Sequence, residues 1–245
     1  MSYNWNWPIF FSPVPSGETT YLFWLIEGLK FTVLLSLSAW VLALIVGSLA
    51  GVLRTVPNRF LSGAATAYVE LFRNIPLLVQ LFIWYFVMPE LLPKSMGDAF
   101  KQSDPLFQQF VAAFVCLGLF TSARVAEQVR SGINSLPRGQ KSAGLALGFT
   151  LPQTYRFVLL PMAFRIVIPP LTSEFLNIFK NSSVATTIGL IELSRQAQQL
   201  VDYTAQPYEA FIVVTALYLM INIIVMSLMR VVEGRVRVPG YMGGK

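Results

Sequence analysis

The sequence contains no histidine, one cysteine and few charged residues. Without histidine, no imidazole can act as a general base or bind zinc. The single cysteine, Cys116, cannot form an internal disulfide and lies in an apolar run, so we predict a small buried residue. Charged residues make up 12% of the chain and hydrophobic residues 55%. Soluble domains carry about 25% charged residues, so this composition predicts a membrane protein.

Motifs for nucleotide binding and catalysis are also lacking. A phosphate-binding loop requires G-x-x-x-x-G-K-[ST], and the nearest stretch, Gly139-Gln140-Lys141-Ser142, has glutamine between glycine and lysine. The sequence shows no nucleophile elbow and no cluster of metal ligands, and we interpret Glu90 and Asp98 as solvated loop residues. The chain is therefore predicted not to be an enzyme and to hold no cofactor and no metal.

Long apolar runs are what the sequence has in abundance. A helix needs about 20 apolar residues to cross a bilayer. Five such runs predict an all-α membrane protein with five transmembrane helices in a single domain, residues 1–245. Pro169 and Pro170 are expected to break the helix of the fourth span. The predicted spans lie near residues 22–53, 67–91, 106–129, 158–180 and 208–230.

Basic residues between the spans predict the orientation. Loops on the cytoplasmic side carry an excess of lysine and arginine. With the N-terminus outside, ten basic residues fall inside and three outside, which favours a periplasmic N-terminus and a cytoplasmic C-terminus. The inner ten are Arg54, Arg59, Arg130, Arg138, Lys141, Arg156, Arg230, Arg235, Arg237 and Lys245. The outer three are Lys94, Lys101 and Arg195.

Ionisable residues also occur within or at the edges of the spans, where each costs about 2.5–3.5 kcal/mol on insertion scales. Glu70 with Arg73, and Glu127 with Arg130, have the i,i+3 spacing of helical ion pairs. Arg165 lies two turns into the fourth span, and either braces the proline kink or reaches a substrate. Arg124, Glu127, Arg165 and Glu174 are the predicted residues of a polar path.

A segment of small residues lies between the third and fourth spans, in a predicted cytoplasmic loop at 131–161. Ser142, Ala143, Gly144, Ala146 and Gly148 are predicted to form a helix of small cross-section that another backbone can approach closely. Gly148 is expected to end it in a left-handed conformation, and Thr150-Leu151-Pro152-Gln153 has the pattern of a capping box that starts the next helix. The sequence predicts two short helices meeting at a corner, which is suited to docking.

The spacing of this segment resembles the cytoplasmic loop of ABC importer permeases, E-A-A-x3-G-x9-I-x-L-P. Ser142-Ala143-Gly144, Gly148 and Val158-Leu159-Leu160-Pro161 follow that spacing throughout. Ser142 replaces the usual glutamate and Gly144 the second alanine, which puts in doubt a salt bridge from this loop to the ATPase. Further stretches, including AEQVRSGI and KNSSVATTIGLIEL, resemble the polar amino-acid branch of the family, with its histidine, glutamine and glutamate–aspartate systems.

The resemblance implies the transmembrane domain of a type I ABC importer in the bacterial inner membrane. It implies a heterodimer with a second homologous permease, a dimeric cytoplasmic ATP-binding subunit that uses the ATP, and a periplasmic amino-acid-binding protein. The expected substrates are polar, acidic amino acids, glutamate and aspartate; the alternatives are glutamine, histidine or arginine, or a secondary amino-acid transporter. The short helix would be the coupling helix, with ATPase coupling through Ser142, Ala143, Gly144, Gly148 and Pro161.

Arg124 carries the substrate hypothesis. In the resembling family the position three residues before the glutamate of the Ala126-Glu127 pair is often aromatic, and here it is arginine. An acidic amino acid has an extra carboxylate that needs a partner when it leaves water, and a guanidinium provides one. Without substrate, Arg124 is expected to rest against Glu127. The alternative is an arginine at the cytoplasmic lip of the span that follows the positive-inside rule.

Overall fold

A computed structural model describes residues 3–236, apart from the side chain of Arg138. Within that range the chain is helical, with an isolated bridge between Pro13 and Thr20. A 3-10 helix, Trp7–Phe11, precedes the first α-helix. A second 3-10 helix, Ser182–Ile188, and two π-helical turns, Ile83–Val87 and Tyr155–Leu159, connect α-helices. The α-helices are α1 Tyr21–Leu53, α2 Arg59–Asn74, α3 Leu77–Phe82, α4 Met88–Leu91, α5 Lys94–Lys101, α6 Pro105–Asn134, α7 Arg138–Ala146, α8 Leu151–Thr154, α9 Leu160–Asn181, α10 Leu193–Thr204 and α11 Pro207–Val236.

Four helical stretches of the described residues are long and apolar enough to cross a membrane, and a fifth is counted if a broken pair forms one span. The broken pair is where the sequence predicts one span at 67–91. The helix ends at Asn74, and Ile75 is extended, with ψ 131°. The next residue, Pro76, lacks a backbone N–H and disfavours helical geometry at its predecessor. The four stretches are Tyr21–Leu53, Pro105–Asn134, Leu151–Ile188 and Pro207–Val236.

The fourth span differs from its prediction at two points. Helical structure begins at Leu151, seven residues before the expected start at 158, because the capped corner feeds directly into the span. The expected break at Pro169 and Pro170 is wrong: α9 is helical on both sides of them. Each proline removes one hydrogen bond to the carbonyl four residues earlier, and prolines are tolerated in transmembrane helices where other groups satisfy that carbonyl.

The chain divides into two compact units. Among the described residues, one comprises 3–39, Pro76–Leu117 and Asn177–Ile224, and the other Trp40–Ile75, Gly118–Leu176 and 225–236. In the first unit, the N-terminal 3-10 helix, the start of α1, α10 and the start of α11 share an apolar core. Its buried residues are Phe10, Val14, Tyr21, Leu25, Leu193, Ala197, Leu200, Ala210 and Val214.

The second unit is built on close approach between α1 and α6. A Cβ added at Gly47 would lie 2.6 Å from the carbonyl oxygen of Ser122, and one added at Gly51 would lie 2.6 Å from that of Ala126. Only glycine fits where two helix backbones come this close. The buried core continues along α6, the Tyr155–Leu159 turn and α9, through Ala43, Val125, Val129, Ile133, Leu136, Tyr155, Leu159, Ala163, Val167 and Leu171.

Candidate functional site

A polar cavity in the second unit contains three of the four predicted path residues. Its volume is 230 Å³. Glu174, on α9, is 9% exposed. The C-terminal half of α6 contributes three of the lining residues, and the end of α2 contributes the fifth. The cavity is lined by Arg73, Arg124, Glu127, Gln128 and Glu174.

Glu127 is the centre of an ion cluster at one wall of this cavity. Arg54, which follows α1, donates from Nη1 to Glu127 Oε2 at 2.6 Å and is only 9% exposed. Arg73 Nη1 lies 3.5 Å from the same oxygen. Arg130 donates from Nε to Glu127 Oε1 at 3.1 Å, in the i,i+3 pair predicted from the sequence. One carboxylate thus holds three arginines from three elements, and the cluster keeps a net positive charge.

Arg124 does not rest against Glu127, and that expectation is wrong for this structure. Its guanidinium lies over the ring of Phe120, 4.9 Å from the ring centroid. Such cation–π contacts stabilise an arginine by about 0.5–1 kcal/mol at exposed sites. Arg124 is exposed and, within residues 3–236, makes no ion pair, because the carboxylate one turn away is already taken by three other arginines. Its charge faces the cavity.

Arg165, the fourth predicted path residue, is exposed on α9 and is not among the residues that line this cavity, so its role stays a prediction. One further sequence interpretation differs from the structure. The expected Glu70–Arg73 pair is replaced by two other contacts: Arg73 turns to Glu127, while Glu70 accepts a hydrogen bond from Asn74 Nδ2 at 3.1 Å. Arg73 thus pairs with a carboxylate on another helix, α6, and not with Glu70 on its own helix. The spacing of residues along one helix cannot reveal a partner on another.

The acidic residues that we interpreted as solvated, Glu90 and Asp98, flank one lysine. Lys101 Nζ lies 3.0 Å from Glu90 Oε1 and 3.6 Å from Asp98 Oδ1. The hydrogen bond to Glu90 raises the pKa of Lys101, with both carboxylates adding to the effect. All three side chains are exposed, so this group contributes little to stability.

Two fully buried carboxylates of the first unit, Glu192 and Glu209, were not predicted from the sequence. Glu192 is fully buried in the first unit and caps the start of α10 by accepting from the N–H of Arg195 at 2.8 Å. Tyr218 donates its hydroxyl to the other oxygen at 2.8 Å, and Thr32 and Thr186 complete the shell. Four hydrogen-bond donors surround this buried carboxylate, so we interpret its role as structural: it connects the elements that carry those donors. The only sequence signal is a glutamate just before a helix, which is weak.

We expect Glu127→Gln to destabilise the folded protein by on the order of 3 kcal/mol, the lower end of the range for breaking a buried ion pair, because the Glu127 side chain is 26% exposed. Glutamine keeps the shape but leaves Arg54 without a counter-charge. The measurement is the loss of monodisperse protein on heating in detergent. Glu70→Gln, the same change at an exposed position, is the control and should melt like the wild type; equal melting of both variants would contradict the role of Glu127.

The predicted corner is present in the second unit. Helix α7 ends as Gly148 takes a φ of +86°. The N–H of Gly148 donates to the carbonyl of Leu145 at 3.0 Å, and the N–H of Phe149 donates to that of Gly144 at 3.1 Å. This pair of bonds is the Schellman motif, in which a left-handed residue closes a helix.

The second arm of the corner begins with the predicted capping box. Gln153 N–H donates to Thr150 Oγ1 at 3.4 Å, and Thr150 N–H donates to Gln153 Oε1 at 2.8 Å. A Cβ at Gly144 would lie 2.9 Å from Thr154 Cγ2, so the two arms pack too closely for the alanine usual at this position. Ser142, Ala143, Gly148 and Pro161 are exposed, while Gly144 is buried against Thr154.

Comparison with known proteins identifies the family. Residues 43–238 match the family described as "Binding-protein-dependent transport system inner membrane component". The chain belongs to this family. It is a multi-pass inner-membrane permease subunit of an ABC importer, and the family predicted from its cytoplasmic loop pattern is confirmed.

Two relatives and one solved structure extend this result. The chain is 56% identical over 246 residues, 100% of both chains, to the glutamate/aspartate import permease protein GltJ of Escherichia coli (strain K12). It is 30% identical to the glutamate/aspartate import permease protein GltK of Escherichia coli O6:H1, over 90% of this chain and 93% of the relative. A crystal structure described as an amino acid ABC transporter with histidines superposes with a TM-score of 0.74 at 29% identity, covering 88% of this chain and 95% of that one. The fold is therefore the type I importer fold predicted from the sequence.

Proposed function

We propose that this chain is one of two permease subunits of an ATP-driven importer that moves glutamate and aspartate into the cytoplasm. The observation that carries the proposal is the 56% identity to the glutamate/aspartate permease GltJ along the whole chain. The second subunit would be a permease similar to GltK, which is itself related to this chain. The two permeases would form a heterodimer.

The energy source and the substrate donor would lie on other chains. The sequence carries no nucleotide-binding motif, so a dimeric cytoplasmic ATPase would hydrolyse ATP, and a periplasmic binding protein would deliver the amino acid. The ten-to-three excess of basic residues supports a periplasmic N-terminus and a cytoplasmic C-terminus. In this orientation α7 faces the cytoplasm and serves as the coupling helix.

The polar cavity is the proposed substrate contact of this subunit. Glutamate and aspartate carry two carboxylates and one ammonium group, and the cavity offers Arg124 and Arg73 beside Glu174. Arg124 would pair with the side-chain carboxylate, since its guanidinium is exposed to the cavity and has no carboxylate partner among the described residues. Glu174 would face the ammonium group. Glu127 would act by holding Arg73 in place.

Substrate competition tests this proposal. The two permeases and the ATPase are reconstituted in liposomes, and labelled glutamate is supplied with the binding protein in excess. We expect uptake that requires ATP, that is suppressed by unlabelled aspartate, and that is unaffected by glutamine, histidine or arginine. Uptake driven by a proton gradient without ATP would support a secondary transporter instead. Faster accumulation of glutamine than of glutamate would contradict the acidic substrate.

A further inference from the structure

The chain around the corner is basic and free of acids. Residues 128–173 contain five lysines and arginines, and no aspartate or glutamate. The family's loop pattern places a glutamate where this chain has Ser142. Arg130 is paired with Glu127 and Arg165 lies farther along α9, which leaves Arg138, Lys141 and Arg156 on the two arms of the corner. A surface with basic residues and no carboxylate of its own favours a partner of negative charge. The five basic residues are Arg130, Arg138, Lys141, Arg156 and Arg165.

Large apolar side chains project from the same corner. Leu147, just beyond α7, is 77% exposed, and Phe157, on the second arm, is 59% exposed. Phe149 lies between the arms with its ring 6.3 Å from that of Phe157. The guanidinium of Arg156 lies 5.5 Å from the centre of the Phe157 ring, so a cation borders the apolar ridge. Exposed apolar groups with a charged rim are typical of protein interaction sites.

A pocket of 470 Å³ opens at the foot of α7. Its polar lining includes Lys141 and Asn134, whose side chains can donate hydrogen bonds, and no carboxylate. Thr55 also lines the pocket, but its hydroxyl already donates to the carbonyl of Val52 at 2.8 Å. The hydroxyl of Tyr155 donates to the carbonyl of Thr55 at 2.8 Å and so fixes one wall. The pocket therefore offers the ammonium group of Lys141 and the amide of Asn134 to an anionic group.

We propose that the ATPase binds this corner with acidic residues at its cleft: one carboxylate of the ATPase enters the pocket beside Lys141, and the apolar ridge packs on the cleft floor. This inference rests on the proposed function, because it assumes that α7 is the coupling helix. It reverses the polarity that the family's loop pattern implies, in which the permease supplies the carboxylate. Complementary charges on the permease corner and the ATPase cleft would let this permease bind the ATPase of its own importer in preference to others.

A membrane surface with anionic lipids is a second occupant that a basic, apolar corner would attract, because it offers negative charge as an acidic ATPase cleft does. The concave pocket favours the protein, because a side chain of a folded partner can fill it while the ridge is covered at the same time. Binding of lipid and binding of the ATPase should respond differently to single substitutions at the corner. Lipid attraction depends on total basic charge, whereas a pocket contact depends on Lys141.

The test measures binding of the purified ATPase dimer to the assembled permease pair in nanodiscs. The variants are Lys141→Gln and Lys141→Glu, with Arg59→Gln as a control that removes an exposed charge from outside the pocket. Discs of phosphatidylcholine alone and discs that also contain phosphatidylglycerol are compared, each at 0.05 M and 0.5 M salt. Screening shortens the reach of exposed charges as salt rises.

We expect Lys141→Gln to weaken ATPase binding about tenfold at low salt, as for loss of a charge-assisted hydrogen bond, and to lower the salt dependence of binding. Lys141→Glu should weaken it further, and suppressors of its transport defect should replace acidic residues of the ATPase. Arg59→Gln should bind like the wild type in both lipids.

Equal binding by all variants would overturn the proposal. An equal loss for Lys141→Gln and Arg59→Gln, seen only with phosphatidylglycerol, would assign the corner to lipid. If the complex imports glutamine and its binding of the ATPase still depends on Lys141, the proposed acidic substrate is wrong and the proposed ATPase contact stands.

Discussion

Replacing Arg124 with methionine is expected to lower glutamate and aspartate uptake by the assembled transporter about 30-fold or more. Losing one partner of a desolvated charge pair costs about 2–5 kcal/mol, and each 1.4 kcal/mol is a factor of ten. Methionine keeps much of the length of arginine and its contact with the Phe120 ring, so the packing on α6 is retained. Arg124→Lys keeps the charge but loses the planar fork and should show a partial defect.

Initial uptake rates measure this effect, with the binding protein in excess and subunit levels matched. Arg230→Met is the control, since Arg230 is an exposed arginine on α11 that does not line the cavity. Binding of glutamate to the periplasmic protein should not change, because that site is on another chain. Near wild-type uptake by Arg124→Met would make Arg124 a positive-inside residue at the lip of the span, and the acidic substrate would rest on the relatives alone.

Features set by neighbouring residues could be predicted from the sequence. The left-handed Gly148 and the capping box of Thr150 and Gln153 appear where their patterns place them, because each depends on a few consecutive residues. The i,i+3 pair of Glu127 and Arg130 is equally local. The helical spans follow from apolar composition. These parts of the fold need no knowledge of which helix lies beside which.

Features set by distant residues could not be predicted. Arg54 reaches Glu127 across 73 positions of sequence, and Arg73 leaves its local partner for the same carboxylate. Predicting that convergence requires the packing of α1, α2 and α6. The break at Pro76 could have been predicted from proline geometry, but the apolar run around it concealed it. Pro169 and Pro170 show the reverse case: the local rule predicts a break, and the helix continues.

The corner itself is expected to fail when Gly148 is replaced by valine. The φ of +86° at this position is costly for any residue with a side chain, by about 1–2 kcal/mol, and most costly for a β-branched one. A Cβ there would meet no atom within 4 Å, so the effect is conformational rather than a clash. The strained corner should shift α7 against the second arm. We expect normal membrane levels and an approximately tenfold loss of ATPase stimulation by the loaded binding protein, about one power of ten per 1.4 kcal/mol.

Two matched variants separate conformation from bulk. Gly139→Val adds the same side chain within α7, also with no atom within 4 Å of its Cβ but without a positive φ, and should retain stimulation. Gly148→Asn should recover part of the loss, because asparagine tolerates the left-handed region better than valine. The measurement is the ratio of ATP hydrolysis with and without amino-acid-loaded binding protein. Full stimulation in Gly148→Val, with the ATPase bound in normal amount, would show that this corner does not transmit the signal. Equal losses in Gly139→Val and Gly148→Val would point to added bulk rather than to the left-handed conformation.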